Sequence, residues 1–181
     1  IRIERVDGPH RPRPFSPAQL ARSLAGSAAF VGGCARLFAS WAGDFQKHPN
    51  RLPRFDPEKA LRAGGDPNIA YYHSYWKLAP DEALVIEATP PKCDYWNFQL
   101  ANHWLESLDY RYYRIHLNPF TAQLRGDGSV RVVVAHSDPA GENWLDTCGH
   151  AQGTMCWRWV GAVDPPEPRT RVVRLAELRL E

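Results

Sequence analysis

At 181 residues the chain is long enough for one domain with an accessory segment, and it can bury a substantial core. Hydrophobic residues at 44% and charged residues at 23% are the balance of an ordinary soluble globular protein. A net charge of +2 supplies no global attraction to nucleic acid or to an anionic membrane, so neither is expected as a partner.

Residues 1–15 are rich in Pro, Arg and His and read as an extended arm. Ser16-Pro17-Ala18-Gln19 then supplies a helix start, with Ser as N-cap, Pro at the first helical position and Gln three residues after the cap. Leu20, Leu24, Ala28, Val31, Ala35, Phe38, Ala42 and Phe45 follow at three- and four-residue spacing, one apolar stripe expected to dock on the domain core. Gly32-Gly33 is expected to kink or split this helix, and His48-Pro49 to end it. The uncharged run 23–35 is too short to span a membrane and lies between Arg22 and Arg36. A connector with a short helix after Asp56-Pro57 completes the first part, residues 1–64.

The period changes after Gly64-Gly65-Asp66-Pro67. Residues 69–76 alternate with aromatics, 83–88 form a short apolar run, and 95–103 alternate with Trp96, Phe98 and Leu100 on one face. Further strands are expected at 110–117, 121–125, 130–136 and 154–163, with a last strand or helix over 172–178. Gly126-Asp127-Gly128 is the strongest hairpin signal, joining 121–125 to 130–136. Without helical crossovers, strands at this spacing predict a mainly β fold, an antiparallel β-sandwich over residues 65–181.

The four cysteines, Cys34, Cys93, Cys148 and Cys156, contain no C-x-x-C pair, and free thiols in a reduced, cytoplasmic setting are favoured. The chain opens on Ile1 rather than Met, so a processed form or a part of a longer protein is expected. The terminal arginines Arg2, Arg5, Arg11, Arg13, Arg169, Arg171, Arg174 and Arg179 read as solvated tails.

An ordered set of short motifs carries a resemblance. Gly65-Asp66-Pro67, Pro80-Asp81-Glu82-Ala83-Leu84-Val85-Ile86-Glu87, Tyr95-Trp96, Ser107-Leu108-Asp109-Tyr110, Asp127-Gly128, Asp138-Pro139, and Asn143-Trp144-Leu145-Asp146-Thr147 with Gly149-His150 span residues 65–163. Together they resemble the uncharacterised family catalogued as domain of unknown function 1214. The resemblance implies a jelly-roll-like β-sandwich, often placed at the C-terminal end of a longer protein beside a second domain. Here a helix-rich segment precedes the matched region, and the full companion domain is not evident. The resemblance implies no activity.

The segment 143–150, with Arg158 and Trp159 after it, gathers an indole, carboxylate, thiol and imidazole into one turn region. Asn102, His103, Trp104, Asn143, Trp144, Arg158 and Tyr72 are the candidate ligand-binding residues, aromatic walls with a few placed polar groups. The alternative is scaffold: Asp146 capping the next turn, Asn143 satisfying loop backbone and Trp144 plugging the sandwich end. His150 with Asp146 or Asp109 is the candidate catalytic acid–base pair. A Cys148 nucleophile with His150 as base would need an exposed thiolate. Asp109, Asp146, His150 and His103 have metal-ligating types, but no H-x-H or H-E-x-x-H spacing is present, and neither metal nor cofactor is expected. On a strand Arg158 points opposite to Trp157 and Trp159, and either pairs with Asp146 or Asp109 or receives an anionic ligand. Tyr110, Tyr112 and Tyr113 interleaved with Arg111 and Arg114 read as a strand with one solvated face, not a nucleic-acid platform. Three functions remain open. The first is binding of a small polar or carbohydrate-like ligand, the second an acid–base hydrolase, lyase or isomerase, and the third an assembly module with a second copy or another chain as partner.

Overall fold

The computed structural model describes residues 1–8, 11, 14–141 and 143–178. Two compact units are present, Ile1–Leu37 and a larger one that begins at Phe38. Helix α1, Pro17–Phe45, starts where the N-cap signal lies: the Gln19 amide donates to Ser16 Oγ at 3.2 Å and the Leu20 amide to the Ser16 carbonyl. Contrary to expectation, Gly32-Gly33 does not split it. Each glycine costs a helix only about 1 kcal/mol against alanine, and the Ala-rich turns around them carry the helix through. In the second unit the last members of its stripe, Ala42 and Phe45, are buried.

The connector that follows is tied to the sheet. The Asn50 amide donates to the Tyr75 carbonyl and the Phe55 amide to the Tyr71 carbonyl, each at 2.7 Å, so the connector covers an otherwise open strand edge. Helix α2, Pro57–Arg62, is capped by Asp56, whose carboxylate accepts from the Glu58 and Lys59 amides.

Eight strands follow: β1 Ile69–Lys77, β2 Glu82–Ala88, β3 Tyr95–Ala101, β4 His116–Leu117, β5 Val130–Ala135, β6 Trp144–Asp146, β7 Gln152–Val160 and β8 Arg169–Arg174, with helix α3, Leu175–Leu178, at the end. They form two four-stranded sheets, sheet A in the order β1-β7-β3-β4 and sheet B in the order β6-β5-β2-β8. The strand-pair register is antiparallel except between β5 and β6, which run parallel. This corrects the expectation of a wholly antiparallel fold. β6 is short and begins level with Val133, so a short loop suffices to return the chain for parallel pairing.

Other expectations are also corrected. Residues 110–113 turn instead of extending, because Asp109 accepts the Arg111 amide on its carboxylate and the Tyr113 amide on its carbonyl. Residues 121–125 contribute only a bridge, Leu124 to Val130, since Asn118 and Thr121 close a turn of their own. The Gly126–Gly128 turn is present, with Gly128 at a φ of 79° that glycine adopts without strain. Arg169, Arg171 and Arg174 lie on β8, not in a solvated tail, and Arg174 pairs with Asp81. Arg13 and Arg179 lie outside the described residues. No described helix is long and apolar enough to cross a membrane.

The core lies between the sheets. Trp76, Phe98, Leu100, Trp157 and Trp159 from sheet A meet Leu84, Ile86, Val132 and Val134 from sheet B, all fully buried. Trp96 stacks on Trp157 with ring centroids 5.2 Å apart. Burying each such side chain contributes about 2–3 kcal/mol. Strand alternation therefore sends the intervening residues of β1, β3 and β7 to the outer face of sheet A.

Candidate ligand-binding site

On that outer face two cross-strand rows lie side by side. Tyr71 of β1, Arg158 of β7 and Asn97 of β3 are in register, and so are His73, Cys156 and Gln99. The end of α1 and the connector build walls over the β1 side. Phe45 stacks parallel on His73 at 5.4 Å, Tyr71 stacks on its neighbour His73 at 5.7 Å, and Phe55 meets the same imidazole edge-on at 5.3 Å. Trp41 packs edge-on against Phe55 at 5.6 Å. Phe38, Trp41, Phe55, Tyr71, His73 and Arg158 line a cavity of 340 Å³, at the small end of ligand sites. A second cavity of 500 Å³ shares Trp41, Phe55 and His73 as a common wall.

The polar groups here are a cation and neutral partners. Burial, then the nearby Arg158 charge, pushes the His73 imidazole down to about 3, so it is uncharged near neutrality. Burial drives the Cys156 thiol up to about 12 despite Arg158. Cys156 Sγ lies 3.6 Å from His73 Nε2, a contact between a protonated thiol and a neutral ring. Arg158 donates to Asn97 Oδ1 at 3.2 Å and holds its guanidinium 6.0 Å from the centre of the Tyr71 ring. Among the described residues no carboxylate pairs with it. Such a site can orient a flat or anionic molecule; among the described residues no carboxylate is hydrogen-bonded to the imidazole.

The residues expected from sequence are dispersed and do not share one cavity. Tyr72 is in the core, with its hydroxyl donating to the Pro165 carbonyl at 2.9 Å, because alternation sends Tyr71 outward instead. Trp144 sits on the outer face of sheet B, packed with Ala83, Val133 and α3, its indole donating to the Ala135 carbonyl. Asn143 is 2% exposed, and its amide is consumed by the Gln123 amide and the Gln123 and Arg131 carbonyls. Arg158 faces the cavity as alternation requires, but its partner is Asn97 and not an aspartate.

The loops after β3 and β6 do approach each other around Cys148. Burial first, then the Asp146 carboxylate, raises that thiol to about 11, while the Asp109 main-chain N–H opposes the shift. Both aspartates are engaged locally. Asp146 accepts the Cys148 amide at 2.7 Å, which is the turn-capping role, and Asp109 forms a forked ion pair with exposed Arg111. Cys148 and Gly149 are both at positive φ, and His150 after them is exposed, its amide donating to the Thr147 carbonyl. Among the described residues nothing pairs with the His150 ring. Asn102 organises its own loop, accepting the Trp104 and Glu106 amides and donating to Glu106. His103 shares a 2.9 Å hydrogen bond with the Tyr75 hydroxyl, and Trp104 is exposed. No group of three or more His, Cys, Asp or Glu converges among the described residues.

Tyr71, His73, Trp41, Phe55 and Asn97 were not among the residues expected at a site. The signal for them is the 69–76 alternation taken with Arg158: once β1 pairs with β7, Tyr71 and His73 must share its face.

Comparison with known proteins gives relatives of fold. No family model matches the chain, and no curated protein does. A crystal structure of an uncharacterised protein from Burkholderia cenocepacia is 52% identical with a TM-score of 0.93, covering 96% of this chain and 49% of that one. A crystal structure of a Vibrio parahaemolyticus protein is 17% identical with a TM-score of 0.51, covering 90% of this chain and 47% of that one, a likeness of fold alone. The chain thus spans about half the length of each of these two solved proteins.

Proposed function

We propose that the protein binds a small ring-bearing polar ligand, a flat molecule or a sugar, in the aromatic cavity on the outer face of sheet A. The observation that carries this reading is the cavity itself: aromatic walls from Trp41, Phe55 and Tyr71 around His73 and a guanidinium without a carboxylate partner among the described residues. Few polar groups in an apolar recess are the usual make-up of a small-molecule site. Catalysis by His150 is the weaker reading, since both aspartates proposed to orient it already hold local backbone or Arg111.

The same reading takes residues 65–181 as a jelly-roll-like sandwich domain of the kind implied by the resemblance to domain of unknown function 1214, with 1–64 as an accessory segment. Its support is the passage of the chain from sheet A to sheet B and back at β1, β2 and β3, and from sheet B to sheet A and back at β6, β7 and β8.

Amide and indole chemical-shift mapping with indole and a methyl glucoside as probes tests the assignment. Shifts confined to Trp41, Tyr71, His73, Asn97 and Arg158, and abolished by Trp41→Ala, are expected. Shifts centred on residues 143–150 would move the site to that loop and end the proposal.

A further inference from the structure

Arg158 is the element of this cavity that a merely neutral ligand leaves unexplained. It stands at the centre of sheet A, on β7 between β1 and β3, and is half-buried. A charge withdrawn from water without a counter-charge is costly, and such groups are normally paired. Here the guanidinium has an amide on one side and a phenol ring on the other, both neutral. The neighbouring Cys156 thiol, pushed up to about 12, contributes no negative charge either. Only one N–H of a five-donor fork has a partner among the described residues, Nη1 to Asn97.

Resting on the binding reading above, we infer that the ligand is a monocarboxylate with a flat apolar ring, its carboxylate taken by Arg158 and its ring lodged among Trp41, Phe55 and Tyr71. A planar carboxylate matches the guanidinium fork with two parallel hydrogen bonds. The charge count selects a monoanion: among the described residues Arg158 is the one charged side chain lining the cavity, so a phosphate dianion would keep a charge uncompensated. A volume of 340 Å³ favours a compact ring system over an extended chain. His73, stacked between Phe45 and Tyr71, is neutral, and neither it nor Cys156 repels the anion.

The test is a matched pair of probes, 2-naphthoate and its neutral counterpart 2-naphthamide, titrated into the intact chain and followed by calorimetry and by the Trp41 indole and Tyr71 amide signals. The acid is expected to bind at least about tenfold tighter than the amide, the ordinary advantage of a charge-assisted pair. In Arg158→Gln the acid-to-amide preference disappears; Arg158→Lys, with charge but no fork, retains part of it. Equal affinity of both probes at the cavity overturns the carboxylate inference and leaves the binding reading standing. Absence of any shift at Trp41 and Tyr71 with either probe overturns the binding reading itself. Should Arg158→Gln not fold, the acid-to-amide ratio in the unaltered protein still decides.

Discussion

Replacing His73 by Phe tests the physical state of the cavity wall without a ligand. The ring stacks between Phe45 and Tyr71 and against Phe55, so phenylalanine keeps the shape and removes the titration. In the folded protein the imidazole gains its proton only near 3, whereas in the unfolded chain it does so at the ordinary 6.5. Because the folded value is depressed, the stabilisation is fully present above 6.5 and is lost as pH falls from there toward 3. With a limiting slope of about 1.4 kcal/mol per pH unit, His73 withdraws about 2 kcal/mol of stability between pH 7 and pH 5. That is an upper bound, since the side of the ring facing the cavity is wetted. Urea unfolding at the two pH values, followed by tryptophan fluorescence, measures it, and subtracting the His73→Phe result removes the other six of the seven histidines. Equal loss of stability in both proteins would refute the placement of a neutral, enclosed imidazole here.

Three further outcomes are expected. Gly153→Ala drives a Cβ into the Ala101 carbonyl oxygen and to 2.9 Å from Trp76 Nε1, so equilibrium unfolding should show a loss of about 3 kcal/mol, the upper end of overpacking costs. A loss near zero would contradict the tight β7 to β3 approach. Asn143→Ala removes three hydrogen bonds, from the Gln123 amide and to the Gln123 and Arg131 carbonyls, in a buried loop and should cost about 3 kcal/mol in the same assay, whereas a ligand-facing Asn143 would cost little. Alkylation by iodoacetamide at pH 8, mapped by mass spectrometry, should leave Cys156 unmodified until the protein is unfolded, because a thiol titrating near 12 rather than 9 holds about a thousandfold less thiolate.

Local chemistry was legible in the sequence and long-range pairing was not. The Ser16-Pro17 start of α1, the Asp56 cap of α2 and the turn at Gly128 each depend on neighbouring residues, and each is present. The alternation of β3 and the outward direction of Arg158 follow from the two-residue strand period in the same way. Residues 69–76 carry aromatics on both faces, so nothing local tells whether Tyr71 or Tyr72 faces out; the pairing of Tyr71 with Arg158, far apart in sequence, decides it. Asp109 and Asp146 were misleading for a related reason. Short carboxylates two residues before a free amide satisfy that amide first, and a residue list cannot separate this from a catalytic role. The cavity walls come from α1, the connector, β1 and β7, and no single stretch of sequence contains them.

The most direct test of the account is the electron density of a crystal soaked with 2-naphthoate. The ring is expected among Trp41, Phe55 and Tyr71 with its carboxylate within hydrogen-bond distance of Arg158. Density instead beside His150 and Asp146, with the outer face of sheet A empty, would contradict it.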